Sequence, residues 1–393
     1  MHAAPPPAAP LPSLDCALAG RCGGCPWIHR TLADQRQAKL DALRARWGAA
    51  GLDPSALDGL ALTDVGPSGQ RDRMDASLRT AEGRVVMGLY DVNHQELVDV
   101  ERCPQQSAAL APAWAALRAD PPPLARASLR LRVGPDGAWG LWIDAANADI
   151  GALLDEGDWL RRAAGRFEIA IGQRHKALLL DRPRPRLGPP VLGRWFDSAL
   201  PGATPERVPL YGPVGGFSQP GMSSNAALVA EVARLAALTG ARRWLELGAG
   251  NGNLSSALLR RGAEVVAVEP DPLASAGLAR MAQDHGWTDR LRLAPASLAR
   301  DDAALRALIS DSEAILVDPP RSGMGALPAA LSSTPGPRWL LSVSCHADSF
   351  VDDLAALIGG GWSLRASAGI DQFPQSPHAE WLALLWRPAA VPR

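Results

Sequence analysis

Short apolar runs, each ending in a polar or glycine-rich turn, fill the chain from about Val208 onward. WLELG, EVVAVEP, LRLAPA, AILVDPP and WLLSVSC are of strand length. Between them lie stretches such as SNAALVAEVARLAAL and LSSALLRR, whose apolar residues recur at helical spacing. Strands alternating with helices predict a doubly wound parallel sheet. The last two runs, SLRASAGIDQF and EWLALLWRP, have no helix between them and are expected to pair antiparallel at the sheet edge. The earlier part of the chain has a different texture. Residues 1–12, rich in Pro and Ala, predict a disordered tail. Leu32, Leu40, Leu43 and Trp47 predict a helix over 31–47 that Gly48 closes. ASLRT, RVVMGLY and ELVDV read as short strands, followed by a helix over 108–118 and the strands SLRLRV and WGLWID. DRPRPRLGPPVLG reads as a linker or as a run across a domain surface. The expected fold is an α/β protein: a Rossmann-like sheet domain over 206–393, preceded by a mixed α+β domain over 13–205.

Composition adds bounds. At 393 residues the chain can build two cores, and it holds no apolar run long enough to span a bilayer. The net charge of -1 argues against a generic polyanion binder, although basic residues crowd positions 161–194. That crowd reads equally as a phosphate-binding patch or as a solvated arginine face. The start lacks the charged and apolar regions of an export signal, and the thiols are clustered, so a reducing cytoplasm is expected.

The chain has five cysteines. Cys16, Cys22 and Cys25 form CALAGRCGGC and Cys103 follows in ERCPQ, a set that suits either zinc or an iron–sulfur cluster. Cys345 stands apart at the end of WLLSVSC. A strand-end cysteine is commonly a small apolar filler, but at the mouth of such a sheet it can act as a nucleophile.

Three further patterns carry chemistry. ELGAGNGNLS follows a strand and opens a helix, where Gly248, Gly250 and Gly252 allow the backbone close to a ligand. Glu269 ends the next strand, placed for ribose hydroxyls. A dinucleotide enzyme shares these features, yet Glu246 and the later DPP favour S-adenosylmethionine. Asp318-Pro319-Pro320-Arg321 ends the fourth strand. Arg321 stands where amino-methylating enzymes carry a stacking aromatic, which argues against that chemistry. Glu380 begins the apolar last strand, either as a solvated strand-end acid or as a base with a raised pKa.

Taken in order, these motifs resemble the RNA (uracil-5-)-methyltransferases, in the iron–sulfur branch that acts on 23S rRNA and without an added TRAM barrel. The resemblance runs from Cys16 to the end: CxxxxxCGGC with Cys103, F-x-Q at 217–219, GNGN at 250–253, DPPRSG at 318–323, the SC of Cys345, and FP…H-x-E ending at Glu380. It implies that Cys345 attacks uracil C6 to form a covalent adduct and that Glu380 is the base. It implies an S-adenosylmethionine pocket of Gln219, Gly248, Asn253, Glu269 and Asp318. It also implies a 4Fe–4S cluster on Cys16, Cys22, Cys25 and Cys103, in preference to zinc. The implied substrate is a uridine of 23S rRNA, with a tRNA uridine as the alternative. A decayed RNA-binding protein is the rival from another class, and retention of Cys345, Glu380 and Asp318 together argues against it. The chain departs from the family at Ser218, Gly221, His346, Ser297 and the FPQSP run.

Overall fold

The computed structural model describes residues 14–200, 206–295 and 303–388. The Pro/Ala stretch and Ser297 lie outside the described residues. The apolar runs of the C-terminal half assemble into one eight-stranded sheet. Its order is Leu62–Thr63, Ser363–Ile370, Glu380–Trp386, Trp339–Ser344, Ala314–Val317, Arg243–Leu247, Glu264–Val268 and Leu291–Leu293. The last five of these are mutually parallel, and Glu380–Trp386 is antiparallel to both its neighbours.

Successive strand residues face opposite sides, so an unbroken apolar run suits a sheet covered twice. Trp244, Val265, Leu316 and Leu341 pack on one side, with the helix Met222–Ala237. Leu245, Ile315, Val317 and Leu340 pack on the other, with the helix Ala347–Gly359. The first strand of this unit, Arg243–Leu247, lies between the second and the fourth. Strand order therefore reverses beside it, which opens a crevice at the carboxyl ends of the strands. This is a Rossmann-like sheet.

A second eight-stranded sheet is built from residues 73–187, ordered Leu97–Asp99, Arg84–Tyr90, Arg73–Ala81, Arg126–Val133, Trp139–Asp144, Glu168–Ile171, Lys176–Leu179 and Arg186–Leu187. Its buried face holds Met74, Leu78, Leu129, Leu131 and Ile143 beneath the helices Leu110–Ala119, Asn147–Glu156 and Asp158–Ala164.

Sequence order and spatial order part company in two places. The helix Leu32–Ala49, capped by Thr31, packs Leu43 and Trp47 into the core of the C-terminal sheet, and Leu62–Thr63 pairs with Gly369–Ile370 at that sheet's edge. The strand Gly193–Leu200 pairs with Glu206–Gly212, so a cut at 205/206 falls inside a hairpin. Phe196, Leu200, Val208 and Leu210 of this hairpin share the core of the C-terminal sheet. DRPRPRLGPPVLG is not pure linker, because it contributes Arg186–Leu187 to the second sheet.

Among the arginines of 161–194, Arg174 and Arg182 are exposed, whereas six others have partners within the chain. Arg162 and Arg166 pair with Asp120, Arg184 with Asp155, Arg186 with Asp181 and Arg194 with Asp197. Arg161 donates to the carbonyls of Arg182 and Pro183. Among the described residues no helix is long and apolar enough to cross a membrane.

Candidate active site

The glycine-rich loop opens the crevice. Gly248, Gly250 and Gly252 all take positive φ (81°, 56° and 95°), a region that residues with a Cβ rarely adopt. Gly248 N–H donates to Val268 O at 2.9 Å, which ties the loop to the second strand. Glu269, at that strand's end, accepts from Gly250 N–H at 2.7 Å and from Asp271 N–H at 2.8 Å. Its position is thus fixed by backbone, and lone pairs remain for hydroxyl donors. Asn253 exchanges paired amide hydrogen bonds with Asn225, at 2.8 and 2.7 Å.

Acids accumulate where the strands end. Burial lifts Glu246 to about 8, against an opposing hydrogen bond from Ser255, and Asp318 and Glu269 add to the lift. Burial also holds Asp318 up at about 7. Glu380 is 2% exposed. Burial raises it well above the usual carboxylate range, Asp318 adds to this and Arg321 opposes it. Glu246, Glu269, Asp318 and Glu380 thus lie within electrostatic reach of one another at the strand ends, with Arg321 beside Glu380. A cationic ligand would offset that imbalance, and S-adenosylmethionine is one, so the residues present fit the donor.

Cys345 directly follows the strand Trp339–Ser344 and is half-buried. Burial and Glu380 push its thiol up, while a hydrogen bond from Arg321 and that guanidinium's charge favour the thiolate. His346 caps the next helix and accepts from Ser349 N–H at 3.4 Å through Nδ1. The thiol, Asp318, Arg321 and Glu380 therefore occupy one electrostatic environment at the crevice mouth.

Gln219 reaches this centre through a residue that motif reading missed. Gln372 donates to Gln219 Oε1 at 2.7 Å and lies 3.4 Å from Glu380 Oε2. Its only signal in the sequence is a polar DQ pair directly after the strand Ser363–Ile370. Asn225 was missed as well, because a helical Asn looks like surface. The family departures have local causes. Ser218 Oγ accepts at 3.0 Å from Arg132, a buried guanidinium on the second sheet that burial pushes down to about 9. Arg132 and Arg73 also donate to the carbonyls of Gly216 and Ser218. A Cβ on Gly221 would lie 1.8 Å from Gln70 O, so the closeness of residues 70–72 excludes a side chain there. Asp72 fixes that contact by accepting from Met222 N–H at 2.8 Å.

Cys16, Cys22, Cys25 and Cys103 all line one cavity on the second domain, with Arg71 and Arg102. Burial pushes Cys25 up to about 12 and also raises Cys22 and Cys103, while Arg71 opposes the rise in each. Among the described residues no group of three or more His, Cys, Asp or Glu side chains is arranged to hold a metal ion. The donor set itself, four thiols facing one cavity beside cations, suits a thiolate-bound metal or cluster. Trp27, just past these cysteines, donates its N–H to Gln375 O at 2.9 Å, which connects this segment to the loop that precedes Glu380.

No family model matches the chain. An uncharacterised RNA methyltransferase of Bdellovibrio bacteriovorus is 34% identical over 385 residues, spanning 97% of both chains. The 23S rRNA (uracil(1939)-C(5))-methyltransferase of Chromohalobacter salexigens is 30% identical over 389 residues, which covers 95% of this chain and 76% of that one. Among solved structures, the Pyrococcus abyssi tRNA (uracil-54, C5)-methyltransferase, in complex with S-adenosyl-L-homocysteine, shares the fold. Its TM-score is 0.66 at 18% identity, over 92% of this chain and 85% of that one. With the ordered motifs at the strand ends and relatives alike along nearly its whole length, this chain belongs to the RNA (uracil-5-)-methyltransferase family.

Proposed function

We propose that the protein transfers a methyl group from S-adenosylmethionine to C5 of a uridine in 23S rRNA. The observation that carries this reading is the meeting of Cys345, Arg321, Asp318 and Glu380 at the crevice mouth. The ribosomal target is supported by the rRNA-modifying relatives. Uracil C5 is a poor nucleophile. Attack by the Cys345 thiolate forms a C6–S bond and moves the ring electrons onto C5. S-adenosylmethionine supplies an electrophilic methyl on a sulfonium sulfur. C5 takes that methyl, and Glu380 then removes the C5 proton. The released electron pair restores the C5–C6 double bond and expels the thiolate.

Gln219, Gly248, Asn253, Glu269 and Asp318 hold and orient the donor in this scheme. Arg321 stabilises the attacking thiolate. The base must leave its stack to reach the crevice. Phe217 is 74% exposed beside Gln219 and offers a face for stacking. The direct test uses RNA carrying tritium at uridine C5. Tritium should be released to water in step with methyl incorporation. Methyl incorporation without tritium release would place the methyl elsewhere and sink the proposal.

The pocket acids give a pH prediction. Asp318 at about 7 and Glu246 at about 8 are neutral below those values and become anionic above them. A sulfonium is attracted only to the anionic forms, so affinity for S-adenosylmethionine should rise from pH 6 to pH 8. Its product, S-adenosylhomocysteine, whose sulfur carries no charge, should show a weaker rise. Calorimetric titration of both ligands across that range checks this, and equal pH dependence would contradict it.

Cys16, Cys22, Cys25 and Cys103 are proposed to hold a 4Fe–4S cluster with a structural role, since methyl transfer involves no electron transfer. Anaerobic purification should yield a brown protein containing iron and acid-labile sulfide. Cys25→Ser should remove the colour. A colourless wild-type protein containing zinc would replace the cluster with a zinc site.

A further inference from the structure

We propose that Gln35 and Lys39, on the N-terminal helix Leu32–Ala49, are positioning residues for the carboxylate of Glu380. The proposal rests on the reading of Glu380 as the base. Its starting point is the buried stripe of that helix, Gln35, Lys39, Leu43 and Trp47, spaced four residues apart on one face. Such a stripe is ordinarily apolar throughout. Here its second half is apolar and its first half is not, although Gln35 and Lys39 are 0% and 1% exposed.

The two halves meet different parts of the site. Leu43 and Trp47 pack with Phe350 and Leu354 of the helix that follows Cys345. Gln35 and Lys39 meet the loop 371–379, which runs directly into Glu380. Lys39 Nζ pairs with Asp371 Oδ1 at 2.5 Å and donates to Phe373 O at 3.1 Å. Gln35 Nε2 donates to Gln375 Oε1 at 2.9 Å, and Gln375 N–H donates to Gln35 Oε1 at 2.7 Å. Gln375 is itself held at φ 70°, a conformation a non-glycine residue keeps only when its surroundings impose it.

These contacts clamp the loop on both sides of the base's partner. Asp371 is bound to Lys39, and the next residue, Gln372, reaches Gln219 and Glu380. Asp371, Gln372 and Gln375 are each buried, so the loop's polar groups depend on a fixed set of partners. A lysine and glutamine more than three hundred positions upstream therefore set where the Glu380 carboxylate points.

The test compares two variants with Glu380→Gln, all keeping Cys345. Lys39→Met combined with Asp371→Asn removes both charges, so neither is left buried alone. Gln35→Ala removes the other clamp without touching a charge and serves if the double variant fails to fold. Each should lower kcat about 10- to 100-fold, with KM for RNA within about twofold and a denaturant-stable protein–RNA adduct accumulating. Adduct accumulation marks slowed proton removal, which a merely loosened fold would not produce. Wild-type kcat, or lost kcat without adduct in a protein of native circular dichroism, overturns the proposal if Glu380→Gln does accumulate adduct. If Glu380→Gln accumulates none, the base assignment falls, and this proposal with it.

Discussion

Replacing Cys345 with alanine should abolish methyl transfer while leaving the donor bound. Without attack at C6 the ring has no means of raising electron density at C5, and nothing else in the crevice substitutes for a sulfur nucleophile there. A missing covalent nucleophile commonly costs on the order of 10⁴ or more in rate. The donor's proposed contacts, from Gly248, Glu269 and Asp318 at neighbouring strand ends and Asn253 in the glycine-rich loop, do not pass through the thiol. Calorimetry should give wild-type affinity for S-adenosylhomocysteine. Cys345 is half-buried, so loss of its sulfur should cost little stability. Residual methylation of the same uridine by Cys345→Ala would refute the covalent route.

Replacing Glu380 with glutamine should arrest the reaction one step later. Attack and methyl transfer need the thiolate and the donor, whereas elimination needs loss of the C5 proton. Gln is isosteric but cannot accept that proton, so the methylated ring should stay bonded to Cys345 Sγ. Loss of a positioned base costs a factor of roughly 10² to 10⁴. The arrested species should migrate as a protein–RNA complex that survives denaturant and disappears when Cys345 is also replaced. The substitution should be tolerated structurally, because Glu380 carries a pKa raised by burial and a neutral amide removes that desolvation cost. Fast turnover by Glu380→Gln would assign proton removal to another group.

Much of this site was legible because its residues sit at strand ends. An apolar run followed by G-x-G, DPP or SC marks where a parallel strand stops, and the topology gathers those stops at one crevice. The antiparallel pairing of Ser363–Ile370 with Glu380–Trp386 followed from the missing helix between them. The cysteine quartet was legible as a set, and its members do line one cavity. Spacing alone did not choose between zinc and iron–sulfur, because both accept four thiolates.

What escaped the sequence depends on contacts remote along the chain. Nothing in the pattern of Leu32, Leu40, Leu43 and Trp47 says which core the helix joins. It joins the catalytic one because Leu62–Thr63 supplies an edge strand there. Lys39 reads as an ordinary helical lysine until Asp371 is placed against it. The crowded arginines of 161–194 read equally as a phosphate site or a solvated face, and the acids that pair with several of them, such as Asp120 and Asp155, are distant in sequence and visible only in the fold. Gly221 looked like the loss of a family asparagine and is instead a steric requirement of Gln70.

The proposed product of this protein is 5-methyluridine in ribosomal RNA. Nucleoside mass spectrometry of 23S rRNA and tRNA from a strain lacking the protein, and from the same strain with it restored, tests that claim most directly. 5-Methyluridine should fall in 23S rRNA of the deletion strain, persist in tRNA, and return with the wild-type protein but not with Cys345→Ala. Unchanged 5-methyluridine in 23S rRNA, or a lost methyl group on another base, would contradict it.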